Sequence, residues 1–134
     1  MRKRTMIYAL IILLVVIMVT VILSLLNPLR KPETEIREYI LMLTPLDTNM
    51  DDVIKIVESN KKWKIEWTSN KHGYGMDKRG NIGEYDHAYV GVQSMRVYLG
   101  KYGSIFQTGV IAYFGFDENS KLIDIAVRKD KDSI

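Results

Sequence analysis

The sequence predicts an α+β protein: an N-terminal transmembrane helix, then two short helices packed on one face of an antiparallel sheet of about four strands. Three observations carry this. Residues 6–26 form an almost unbroken apolar run directly behind Arg2, Lys3 and Arg4. Two segments of helical period follow, and beyond Trp63 the apolar residues alternate with period two. Helices and strands are segregated along the chain, the order expected of α+β rather than of a parallel sheet.

The apolar run is interrupted only by Tyr8, Thr20 and Ser24. About 20 residues at 1.5 Å rise cross the ~30 Å hydrocarbon core of a bilayer, and a helix satisfies its own backbone groups there. The run is too long for the core of a cleaved signal, and its exit, Val21-Ile22-Leu23-Ser24-Leu25-Leu26, offers no small-residue cleavage pair. With no cysteine in the chain, a lipoprotein signal is excluded. An uncleaved signal anchor over residues 1–27 is the reading that remains. Lys and Arg lie closer and denser before the span than after it, where Arg30, Lys31 and Arg37 follow. The positive-inside rule then places the N-terminus in the cytoplasm and the rest of the chain outside it.

Residues 28–32 read as a stiff linker, because Pro28 and Pro32 fix φ. Pro32 also suits a helix start. Ile36, Tyr39, Ile40 and Leu43 follow helical spacing behind Glu33 and Glu35, and Thr44-Pro45 ends that helix. A second helix opens at Asn49, with Asp52 at the capping-box position and Met50, Val53, Ile54 and Val57 along one face. Ser59-Asn60 supplies its stop.

Trp63, Ile65 and Trp67 alternate with Lys62, Lys64 and Glu66 as a strand with one apolar face. Residues 69–86, with Gly73, Gly75, Gly80 and Gly83 among polar side chains, read as a long loop. A second strand region carries Val90, Val92, Met95, Val97 and Leu99 and turns at Gly100-Lys101-Tyr102-Gly103. Residues 108–116 form a third strand. It pairs as a hairpin with a fourth that carries Ile123, Ile125 and Val127, the turn lying at Glu118-Asn119-Ser120. The domain spans 33–128, and the charged tail 129–134 is expected to fray. With helices on one face, the other is expected to be open, and Arg96, Tyr98 and Tyr113, with Lys64, are the candidates for a partner face there.

The net charge of +3 belongs to the N-terminal flanks. Residues 1–32 hold five basic and no acidic side chains, whereas residues 33–134 hold 14 basic and 16 acidic ones. A near-neutral domain lacks the electrostatic footprint of a nucleic-acid binder. About 100 residues suffice for one small core and not for two. Without cysteine there is neither a disulfide framework nor a thiolate metal site.

Two stretches together resemble a known group. Residues 44–57, Thr-Pro-Leu-Asp-Thr-Asn-Met-Asp-Asp-Val-Ile-Lys-Ile-Val, and residues 110–123, Val-Ile-Ala-Tyr-Phe-Gly-Phe-Asp-Glu-Asn-Ser-Lys-Leu-Ile, resemble the SmpA/OmlA and β-lactamase-inhibitor-protein-like group. In that group a small polar cap precedes an acidic-Val pair, and an aromatic-x-Phe-Asp hairpin follows. The departures are Asp47, where the group usually has glycine, the lack of a Gly-x-Pro after the second helix, and an apolar anchor in place of a lipidated cysteine. The resemblance implies a non-catalytic fold that binds other proteins in the cell envelope.

Chemistry is sparse. His72 and His87 flank the glycine-rich stretch beside Asp77, Glu84 and Asp86, but their spacing matches no metal-ligand motif. No nucleophile elbow, phosphate loop or dinucleotide fingerprint is present. No catalytic, cofactor or metal residues are therefore assigned. Lys61, Lys62, Lys64, Lys71, Lys78 and Arg79, with Lys55 and the two tryptophans nearby, are the candidates for an anionic-ligand patch. The sequence thus leads to a non-enzymatic single-pass membrane protein. Its expected partners are the bilayer and a protein of the envelope. The alternatives are an envelope module for anionic polymer or lipid headgroups and an immunity-type protein.

Overall fold

The computed structural model describes residues 2–77, 80–83 and 88–131. The first helix, α1, runs Arg2–Leu25 and is apolar all round beyond its basic first turn. Its window Arg2–Leu23 is long and apolar enough to cross a membrane, and none of it is buried against the rest of the chain. A single 3-10 turn, Pro28–Arg30, follows at once, capped by Asn27, whose side chain accepts from the Leu29 N–H at 3.0 Å. Helix α2 spans Glu33–Leu43 and α3 spans Met50–Ser59.

Seven strands complete the chain: β1 (Lys64–Ser69), β2 (Tyr74–Met76), β3 (Ile82–Gly83), β4 (Ala88–Val90), β5 (Gln93–Tyr102), β6 (Thr108–Phe116) and β7 (Leu122–Lys131). They form a four-stranded sheet, β1-β5-β6-β7, and a small sheet, β3-β2-β4, each paired antiparallel. The fold is α+β, with two short helices on one face of a four-stranded antiparallel sheet.

The main core lies between that face and the helices. Ile36, Ile40, Val53 and Val57 pack on Met95, Val97, Leu99, Val110, Ala112, Phe114, Phe116, Leu122, Ile125 and Val127. Helical period on one side meets strand period on the other across this core. Tyr39 and Leu43 depart from the expectation. They sit on the predicted stripe of α2, yet both are exposed, because α2 turns Ile36 and Ile40 to the sheet and leaves its neighbouring flank uncovered. Asn49 is the N-cap of α3 by backbone, but its side chain makes no cap bond. Residues 47–50 are drawn instead onto the start of β7: Leu122 N–H donates to the Thr48 carbonyl, and Met50 N–H to that of Ser120. Asp47 there has φ 72°, the left-handed conformation that favours glycine.

The opposite face of the sheet is not open. The stretch expected to be a loop supplies β2 and β3, which with β4 form a lid over it. Tyr74, Ile111 and Tyr113 are buried beneath, joined by Trp67, Ile82, Val90, Tyr98 and Ala126. Two glycines permit the close approach. A Cβ on Gly73 would stand 1.9 Å from the Val90 carbonyl oxygen, and one on Gly115 would stand 2.8 Å from the same atom.

Bulges decide which side chains face which core. Glu66 is skipped in the pairing of β1 with β5, so Trp63 and Ile65 reach the helix-side core while Trp67 turns to the lid side. Ile123 is skipped in the pairing of β6 with β7, which buries Leu122 and exposes Ile123, against the simple alternation expected there. The strand also continues past Arg128, with Lys131 opposite Thr108, so the first part of the expected tail is ordered strand. The hairpin turn falls at Glu118–Ser120 as anticipated, with Asp117 Oδ1 accepting from the N–H groups of Asn119 and Lys121.

Candidate functional site

A groove of about 710 Å³ opens where α1 hands over to the domain. Its apolar lining comes from Leu29, Ile36, Tyr39, Ile40, Trp63 and Leu99. Exposed Lys31, Glu35, Lys62 and Lys101 border it, with Asn27 and Asn60. Four elements build it: the 3-10 turn, the first half of α2, the α3–β1 turn and the end of β5. The expected linker is therefore part of the domain. Leu29 packs on the main core, and a Cβ on Gly100 would come within 3.0 Å of its Cδ1, so glycine at that strand position keeps the seat open.

From Tyr39 the apolar surface continues along the exposed flank of α2 and the residues after it. Tyr39 is 53% exposed and Met42 79%, and Leu43 and Leu46 are exposed with them. Tyr39, Met42 and Leu43, three and four residues apart on α2, make one stripe, and Leu46 lies just past the helix end. Exposed apolar residues that run into an apolar concavity form a candidate contact surface on the helix side. Three lysines against one glutamate make its border electropositive. Among the described residues, the groove lining holds no histidine, serine, threonine or cysteine. Its side chains supply apolar contact, hydrogen bonds and charge.

The sequence-derived candidates fall elsewhere. Arg96 and Tyr113 are brought together, directly opposite on β5 and β6, with the guanidinium 5.5 Å from the Tyr113 ring centre. Tyr98 is close by and half-buried. The face they share, however, is covered: Tyr113 is 0% exposed, and the Arg96 Nε–H donates to Glu66 Oε1 at 3.2 Å. The expected open partner face is thus the floor beneath the small sheet. Alternation alone gave no signal of this, because a tyrosine at an outward strand position reads the same whether solvent or a second sheet lies over it.

The expected basic patch is divided. Lys61, Lys62 and Lys64 lie at the start of β1 and Lys71 beyond its end, separated by the length of a six-residue strand, roughly 17–20 Å. Lys78 and Arg79 lie outside the described residues, as do His87, Glu84 and Asp86. Of the described patch residues, only Lys62 lines the groove. His72 is exposed; its Nδ1 lies 2.7 Å from the Gly73 carbonyl oxygen, and its ring is 5.0 Å from that of Tyr89. Among the described residues, no group of three or more histidine, cysteine or acidic side chains is placed to hold a metal.

One further polar cluster joins the two cores around the edge strand β7. Arg37 of α2 donates through Nη2 to Asp124 Oδ1 and through Nε to the Ile125 carbonyl, both at 2.6 Å. The Tyr74 hydroxyl lies 3.5 Å from Asp124 Oδ2. Burial pushes the Tyr74 phenol well above its ordinary value, and the neighbouring Asp124 carboxylate adds to this, with Arg37 opposing. The cluster ties a helix and the small sheet to an edge strand whose open backbone would otherwise invite pairing.

No protein-family model, curated protein or solved structure matches the chain.

Proposed function

We propose that the protein is a single-pass, membrane-anchored, non-enzymatic binding module of the cell envelope. In this reading α1 spans the bilayer with its N-terminus in the cytoplasm, and the α+β domain outside binds a protein partner. One observation carries the partner assignment: the exposed stripe of Tyr39, Met42 and Leu43, with exposed Leu46 just past the helix end, runs into the groove beside the exit of α1. An apolar segment of a second protein, helical or extended, fits that surface, with the lysines at the rim suited to acidic side chains flanking it. The resemblance to the SmpA/OmlA and β-lactamase-inhibitor-protein-like group supports the same reading, since that group uses a non-catalytic fold to bind proteins.

A photo-crosslinking residue at Met42, in the full chain in its native membrane, tests the proposal. The expected result is a discrete protein adduct, the same species again from position 39, and none from Asn119 at the far end of the sheet. The Leu46→Asp substitution should abolish the adduct. Equal labelling from positions 42 and 119 would count against a specific surface. A reporter fused after Ile134 tests the orientation separately, and cytoplasmic signal from it would overturn the extracytoplasmic placement.

A further inference from the structure

The end of the sheet nearest α1 is held to the chain that leaves the helix. The Arg30 guanidinium lies 5.0 Å from the centre of the Tyr102 ring. Lys129 Nζ donates to the Lys31 carbonyl at 2.7 Å and to the Tyr102 hydroxyl at 3.3 Å. With Leu29 seated on the core, the handover from α1 is a clamp rather than a free tether. Past the same end of the sheet runs the connection between β5 and β6, residues 103–107. Ile105 and Phe106 at its tip are each 74% exposed. The turn is tightly built: Gly103 has φ 102°, and a Cβ there would meet the Phe106 carbonyl oxygen at 2.3 Å.

Both the tip and the end of α1 stand close to one point. Ile105 is three residues from Tyr102 and Asn27 three from Arg30, so each backbone lies within about 11 Å of its neighbour's at full extension, and the side chains of Tyr102 and Arg30 meet. Around them are Arg30, Lys31, Lys101, Lys129 and Lys131. The described acidic groups near this end are Glu33, Glu35, which shares the groove rim with Lys31 and Lys101, and Asp130, held by Arg128 Nε at 2.7 Å; Asp132 lies outside the described residues. Two adjacent large apolar side chains on a tightly turned tip, within a basic collar, have the composition of a segment that enters the interface of an anionic bilayer. Such a contact is weak alone, but a short tether supplies an effective concentration on the order of millimolar.

We propose that the β5–β6 hairpin tip is a second membrane contact: Ile105 and Phe106 enter the headgroup–acyl boundary of the leaflet from which α1 emerges, and the collar of lysines and Arg30 rests on anionic headgroups. This rests on α1 spanning the bilayer. It fixes the tilt of the domain, so that the groove opens at headgroup level and receives a partner that is itself at the membrane.

The chain contains no cysteine, so single cysteines carry spin labels without background. Full-length Phe106→Cys, Ile105→Cys, Val16→Cys and Asn119→Cys are reconstituted in phosphatidylcholine vesicles containing phosphatidylglycerol, and each label's access to oxygen and to a soluble nickel chelate is measured. The expected result is deep protection at 16, interfacial protection from nickel at 105 and 106, several-fold above that at 119, and full aqueous access at 119. Protection at 16 with access at 105 and 106 equal to that at 119 overturns the hairpin contact alone. Aqueous access at 16 overturns the spanning reading beneath it. Lys101→Glu with Lys131→Glu should make the 106 label shallower in anionic vesicles; unchanged depth would overturn the role of the collar.

Discussion

The two faces of the four-stranded sheet are covered in different ways. The helix side is closed by two amphipathic helices that bring Ile36, Ile40, Val53 and Val57 onto ten buried strand residues. The lid side is closed by strands of two or three residues that bring little more than Tyr74, Ile82 and Val90. The first cover is held by apolar area, the dominant favourable term in folding. The second is held by close backbone approach, aromatic packing and the Arg37–Asp124–Tyr74 cluster. A cover of the first kind should fail with the whole domain, and one of the second kind should open by itself.

The largest expected effect is on the helix side. Phe114→Ala removes a fully buried ring and should cost about 3–5 kcal/mol, read as a loss of global stability in denaturant titration. Should it merely loosen the lid, the contrast between the faces would be lost. Gly73→Ala is next. Its Cβ cannot coexist with the Val90 carbonyl, so β2 and β4 should separate. Hydrogen exchange should then quicken at 74–76 and 88–90 while 95–99 and 110–116 stay protected. Uniform quickening throughout would show the two covers to be one cooperative unit.

Tyr74 offers a pH probe of the lid. Its folded phenol holds its proton more tightly than the unfolded chain's, so its contribution is complete below about pH 10 and is lost as pH rises further. Wild type should therefore lose stability more steeply than Tyr74→Phe above pH 10, and the two should run parallel below it. Parallel curves throughout would argue that Tyr74 is not sealed beneath the small sheet. The smallest effect belongs to Arg96→Ala, which removes a partly exposed pair with Glu66 and should cost at most about 1 kcal/mol for the ion pair. A larger loss would mean that stacking on Tyr113 helps to hold the lid-side core.

Much of the architecture was legible. The boundaries of α2 and α3 and the whole of β6 follow from spacing and breakers, because a helix or strand that buries one face must write its period into the residues. The turn at Asn119 was equally readable from Asp117 and the polar residues after it. The glycine-rich stretch was not, since glycine marks both a loop and a place where backbone meets backbone, and only the Val90 carbonyl above Gly73 and Gly115 distinguishes the two. The groove escaped notice for a similar reason: Leu29, Tyr39, Trp63 and Leu99 are far apart in sequence and ordinary one by one.

By itself, the sequence determined the apolar helix, the two short helices, the order of the four long strands and most of the helix-side core, all of which are set by local periodicity. The tertiary structure alone decided the rest: that Glu66 and Ile123 bulge and re-aim Trp67 and Leu122, that short strands close the second face, and that the handover from α1 is clamped to the sheet. Each of these depends on what a distant strand offers as a partner, and a pairing register is a property of two segments that neither carries alone.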